Sequence, residues 1–156
     1  MSLVCRPAGG LEVSDSRLLP EIDRADYRLQ IAICLVDHVA REIGYRVCWT
    51  CIERTFEQTQ DIYQRAGMTP PSGPGVHDVR PCRGADGSHL PIPGAARSHS
   101  EEEAGELIAA RVNELTDYPR NFDTVIYHRV LGARHLHVQV PWDGLAFEPP
   151  APGQTI

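Results

Sequence analysis

The sequence predicts an α+β domain in which helices pack on one face of a small antiparallel sheet. Three observations carry that prediction: segments of helical periodicity, a short alternating segment between two of them, and a terminal pair of alternating segments joined by a tight turn. Residues 1–20 read as an irregular arm. Over about 22–43, Leu29, Ile33, Val36, Ala40 and Ile43 fall on one helical face, and Gly44 is a suitable stop. "YRVCWTCI" (45–52) alternates as a strand does.

A second helix is expected over 55–67, because Thr55 and Gln58 form a T-x-x-Q capping box and Gly67 closes the segment. Residues 68–98 are rich in Pro and Gly and read as a long loop, a length that points to function or disorder. A third helix starts at Ser100, with Glu103 completing another capping box and an acidic first turn suited to the helix dipole. Ala104, Leu107, Ile108 and Leu115 form its apolar stripe. "FDTVIYHRV" (122–130), the turn "LGAR" and "HLHVQV" (135–140) make a β-hairpin. With no internal repeat, residues 1–156 form a single domain: the arm, a core over 21–143 and a flexible Pro/Gly-rich tail over 144–156.

Composition narrows the functions. A net charge of -6 offers no general basic face, which excludes broad affinity for nucleic acid. The longest apolar run, "IAICLV" (31–36), is far short of the roughly 20 residues that span a bilayer, so no membrane insertion is expected. The start "MSLVCRPAGGLEVSD" lacks the basic and apolar regions of a signal peptide, so the expected place of synthesis is the cytoplasm. "CWTC" (48–51) is a CxxC inside a strand, where Cys48 and Cys51 should point to opposite faces, so they read as small semi-buried sheet residues. A redox or zinc-knuckle use of that pair is the minor alternative.

The hairpin carries the chemistry. In "HLHVQV", Leu136, Val138 and Val140 share one face, which should pack on the helices. His135, His137 and Gln139 share the other, with side chains two apart standing about 6.5–7 Å from each other. The pattern alone fits either a solvated polar face or a metal site. A zinc hydrolase needs about three protein ligands and an open position. The long loop holds His77 and Asp86, nine residues apart, which with a strand histidine would make a His, Asp, His set.

Three blocks then occur in order: "ERTFEQTQDIYQRAG" (53–67), "GVHDVRPCRGAD" (75–86) and "VIYHRVLGARHLHVQVPW" (125–142). Together they resemble the zinc D-alanyl-D-alanine carboxypeptidase and endopeptidase family that includes phage endolysins and VanX-type dipeptidases and has a Hedgehog-type fold. The resemblance implies a zinc metallopeptidase hydrolysing peptidoglycan peptide bonds, with a stem peptide or other short peptide as substrate. It implies Zn²⁺ held by His77, Asp86 and His137, with His135 beside the metal assisting proton transfer or stabilising charge. Arg54 would face a substrate carboxylate or carbonyl, and His128 and Gln58 would touch substrate or support the site. Phage or prophage origin, with release through a separate pore to the cell wall, follows from the same resemblance.

The chain departs from that pattern in two places. The interval from His77 to Asp86 is longer than in the resembled block. Arg134, three residues before His137, stands where a catalytic carboxylate is expected, leaving proton transfer to His135 or to a group such as Asp143. A non-catalytic metal-binding or cell-wall-peptide-binding domain of the same fold is therefore the alternative. His38, His89 and His99 read as surface residues, with His89 a reserve ligand.

Overall fold

A computed structural model describes residues 10–129 and 132–141, apart from the Arg120 side chain. The first nine residues of the expected arm, the whole expected tail and Asp143 lie outside the described residues. The elements are β1 (Glu12–Val13), α1 (Leu18–Asp23), α2 (Tyr27–Glu42), β2 (Tyr45–Cys51), α3 (Phe56–Arg65), β3 (Gly84–Pro91), α4 (Glu101–Thr116), a 3-10 turn (Pro119–Asn121), β4 (Val125–His128) and β5 (His135–Gln139). The sheet order is β1-β2-β3-β5-β4, with β1 parallel to β2 and all other neighbours antiparallel. The α+β class follows, with α2 and α4 packed on one face of the sheet.

Local chemistry explains most boundaries. Asp26 caps α2 by accepting from Arg28 N, and the Arg28 guanidinium returns to the same carboxylate at 3.1 Å and donates to Pro141 O at 3.2 Å. That cap splits the expected 22–43 helix: α1 ends, the chain turns at Arg24–Asp26, and α2 begins. The capping box at Thr55/Gln58 forms in full, whereas at α4 the Ser100 hydroxyl accepts from Glu103 N and donates to the Glu103 carboxylate, so only the serine half of that box is made. Part of the expected arm is ordered instead, since β1 pairs with β2 and Leu11 and Leu18 enter the core.

The larger correction lies in the expected loop. Residues 84–91 form β3, the middle strand of the sheet. Its glycines disguised it, yet Gly87 is required by packing: a Cβ there would stand 2.8 Å from Val47 Cγ1 and 2.9 Å from Trp49 Cε3. The core beneath α2 and α4 holds Trp49, Tyr45, Val47, Leu29, Ile33, Ile108, Leu136 and Val138, all fully buried. Each such aliphatic side chain stabilises the fold by about 1.5–3 kcal/mol before the loss of chain entropy. Leu136, Val138 and Val140 face this core as the alternation predicts. Among the described residues no helix is long and apolar enough to cross a membrane.

Candidate functional site

The opposite face of the sheet, together with α3 and the segment before β3, walls a cleft of about 500 Å³. Its floor belongs to a row across adjacent strands: Asp86 on β3 pairs with His137 on β5 and His137 with Ile126 on β4, while Cys51 on β2, which borders a neighbouring cleft beyond Arg54, pairs with Asp86 from the other side. One step along, His135 pairs with His128. The pleat directs directly paired residues to one side of a sheet, so the cross-strand register alone gathers these groups. Thr59, Ile62 and Tyr63 of α3 supply a wall.

Asp86 is the hub. His137 Nδ1 lies 2.8 Å from its Oδ1, His135 Nε2 lies 3.6 Å from the same oxygen, and His77 Nε2 lies 3.4 Å from Oδ2. The Arg54 guanidinium stands 4.0 Å from Oδ2. Burial by itself would raise the Asp86 carboxyl, but His77, His135 and His137 outweigh it and hold the group well below the usual carboxylate range. The five residues that the motifs singled out as ligands, proton carrier and arginine, Arg54, His77, Asp86, His135 and His137, therefore meet at one carboxylate.

His77 arrives from outside the sheet. Its backbone O accepts from Arg54 N at 3.1 Å and its Nδ1 lies 2.7 Å from Ile52 O. A carbonyl only accepts, so Nδ1 carries the proton in that bond. Burial lowers the His77 pKa, which favours the neutral ring and leaves a lone pair on Nε2. That nitrogen is buried, has no hydrogen-bond partner and faces Asp86 Oδ2, so two electron-rich atoms oppose each other. A cation between them removes the conflict, and a histidine whose other nitrogen is fixed by a carbonyl is a common metal-ligand arrangement.

His128 lies beside His135 and His137, with ring centroids 4.8 and 5.4 Å away. Its Nε2 is buried without a partner, and burial pushes its pKa down to about 4, with the neighbouring histidines adding to the effect. Gln58 is not part of this cleft. Its side-chain oxygen accepts from Thr55 N in the α3 cap, and it borders a separate cleft on the far side of Arg54. Arg134 turns to the helix side, where it donates to Glu102, Glu106 and Tyr127 O, so its charge stays out of the cleft. His89, expected at the surface, is buried against α4 with its Nε2 at Glu101 O. His38 is exposed and His99 half-buried.

Two residues close to Asp86 escape the motif reading. Gln139 continues the His135/His137 face; its Oε1 lies 3.3 Å from His137 Nε2 and its amide donates to Asp123 O. The alternation contained that signal. Cys51 was assigned the face opposite Cys48, but the β2–β3 register shifts between Trp49 and Cys51, and Thr50 is taken up as an extra residue. Cys51 consequently shares the face of Asp86. One ligand-type atom each from Cys51, His77 and Asp86 lies within 4.8 Å of the other two, so this cluster could hold a metal ion. Burial pushes the Cys51 thiol up to about 12. Compared with models of protein families, with curated proteins and with solved structures, the chain matches none.

Proposed function

We propose that the cleft is the centre of a zinc-dependent hydrolase acting on peptide bonds, with peptidoglycan stem peptide as its substrate. The observation that carries this reading is the buried lone pair of His77 Nε2 set against the Asp86 carboxylate. The donor set of imidazole and carboxylate suits Zn²⁺. His77 and Asp86 hold the metal, and the family resemblance assigns the third position to His137. Zinc bound there supplies Lewis acidity, polarising a carbonyl and lowering the pKa of bound water.

The chain's own residues do the remainder. Arg54, beside the carboxylate hub, offers a planar donor fork to a peptide carboxylate or carbonyl. His135, about a fifth exposed and next to Asp86, carries protons between the reacting centre and solvent. The unpartnered Nε2 of neutral His128 accepts a hydrogen bond from a substrate N–H. The cell-wall substrate rests on the motif resemblance alone.

One observation favours a second reading, a metal-dependent wall-peptide binder without catalysis. Among the described residues lining the cleft, the carboxylates are Asp86 and Asp78. Asp78 is engaged by the Thr59 hydroxyl at 2.6 Å and by Gly75 N at 2.8 Å, which leaves no spare carboxylate base. Elemental analysis of the purified protein and digestion of purified peptidoglycan separate the two. Zinc with release of peptide fragments supports the hydrolase. Zinc with binding but no release supports the binder, and absence of any bound or bindable metal overturns both.

A further inference from the structure

Resting on the metal reading above, we infer that Cys51 is a thiolate ligand of the same ion, so that the donor set is Cys51, His77 and Asp86, with His137 supporting Asp86 from outside it. Three independent features converge. The extra residue Thr50 in β2 turns Cys51 onto the sheet face that carries Asp86, directly opposite it. Its sulfur, a His77 ring nitrogen and an Asp86 oxygen all fall within 4.8 Å of one another. His77, 2% exposed, aims an unpartnered Nε2 into that space.

His137 is placed differently. Its Nδ1 faces Asp86 Oδ1 at 2.8 Å and its Nε2 faces Gln139 Oε1 at 3.3 Å. Gln139 presents its oxygen because its amide nitrogen donates to Asp123 O. When Nδ1 donates to Asp86, the ring's remaining lone pair, on Nε2, faces Gln139 Oε1 and not the gap between Cys51, His77 and Asp86. A histidine that donates to a ligating carboxylate is a typical outer partner of a metal centre. Cys82, also close by, is committed elsewhere, its Sγ lying 3.2 Å from both Ile52 O and Gly84 O, to which its single S–H can donate.

Binding a divalent ion forms the sulfur–metal bond and releases the thiol proton to solvent. A sulfur, nitrogen and oxygen set prefers Zn²⁺ or Co²⁺ to the hard ions Mg²⁺ and Ca²⁺. Three protein ligands also leave one position open, as hydrolytic zinc sites require.

Titration of the intact chain with Co²⁺, followed by near-ultraviolet absorption and equilibrium dialysis, tests the assignment. The expected result is a sulfur-to-cobalt charge-transfer band that survives in Cys48→Ser and His137→Gln. The band disappears in Cys51→Ser and in Cys51→Ala, with Co²⁺ affinity lowered on the order of 10–100-fold. Bound Co²⁺ without the band in the unaltered chain overturns the inference and leaves the metal reading standing, whether or not the cysteine variants fold. A band that persists in folded Cys51→Ser assigns the sulfur to another cysteine and also overturns it. No Co²⁺ binding by the unaltered chain overturns the inference and the metal reading together.

Discussion

His89 and His77 are both buried histidines, one on β3 and one just ahead of it, yet they belong to different regions. His89 faces the helices, with its ring between Tyr45 and Tyr127 at centroid distances of 5.4 and 5.5 Å and its Nε2 at the Glu101 carbonyl. His77 faces the cleft, with Nδ1 held by a carbonyl and Nε2 set against a carboxylate. On the core side the aromatic neighbours ask nothing of the ring beyond packing. On the cleft side the neighbours are titratable and converge on one oxygen pair. Chemical identity and burial are alike at the two positions, so the face of the sheet against which each ring lies decides which histidine is structural and which is poised for chemistry.

That separation can be broken in a graded series. Leu136→Ala, on the core side of β5, should lower unfolding stability by about 2–5 kcal/mol in denaturant titration and leave metal affinity per folded molecule unchanged. A parallel loss of affinity would mean that the two faces act as one unit. Asp86→Asn, on the cleft side, should weaken zinc binding by at least about 100-fold, near 2.8 kcal/mol, measured by competition with a chelating dye. Retained affinity would remove Asp86 from the metal site.

A smaller effect concerns pH. The neutral form of His128 is favoured in the fold, so its pKa drops from 6.5 to about 4 while the unfolded chain keeps the ordinary value. Between those values the unfolded state binds more protons, and stability therefore falls as pH drops through that window and levels below it. After discounting for partial solvent exposure, the His128 share should be about 1–2 kcal/mol between pH 7 and pH 4. His128→Gln should flatten the dependence of denaturation midpoint on pH in the metal-free protein; an unchanged slope would contradict the assignment. The smallest effect is expected of Gln58→Ala, which removes one half of the α3 cap, costing about 0.5 kcal/mol with no change in metal affinity. A tenfold loss of metal affinity in that variant would return Gln58 to the site.

The same comparison explains what could be read from the chain before its structure. The helices α3 and α4 announced themselves through their caps, because each is a local pattern of side chain and backbone N–H, and most of α2 through its apolar periodicity. Leu136 and Val138 were placed correctly because strand alternation is local as well. The strand over 84–91 was hidden, since its glycines satisfy a demand made by Val47 and Trp49 from the neighbouring strand. His89 was misplaced with it. The convergence on Asp86 was legible only through the order of the motif blocks, whereas Cys51 needed the register of β2 against β3, which depends on two distant segments.

Thr50 itself carries no obvious chemistry; its hydroxyl donates to Asp86 O at 3.2 Å and its side chain is exposed. Its presence nevertheless sets the parity of the residue after it. Deleting this single residue would remove the bulge and set Cys51 directly after Trp49, still opposite Asp86, whereas regular pairing with Thr50 retained would turn Cys51 to the side of Trp49. A donor atom can therefore be gained or lost over evolutionary time by the making or losing of a bulge, with every chemistry-bearing residue retained. Two chains with identical Cys, His and Asp complements could differ in metal preference for that reason, and the register of β2 against β3 is the character that would distinguish them.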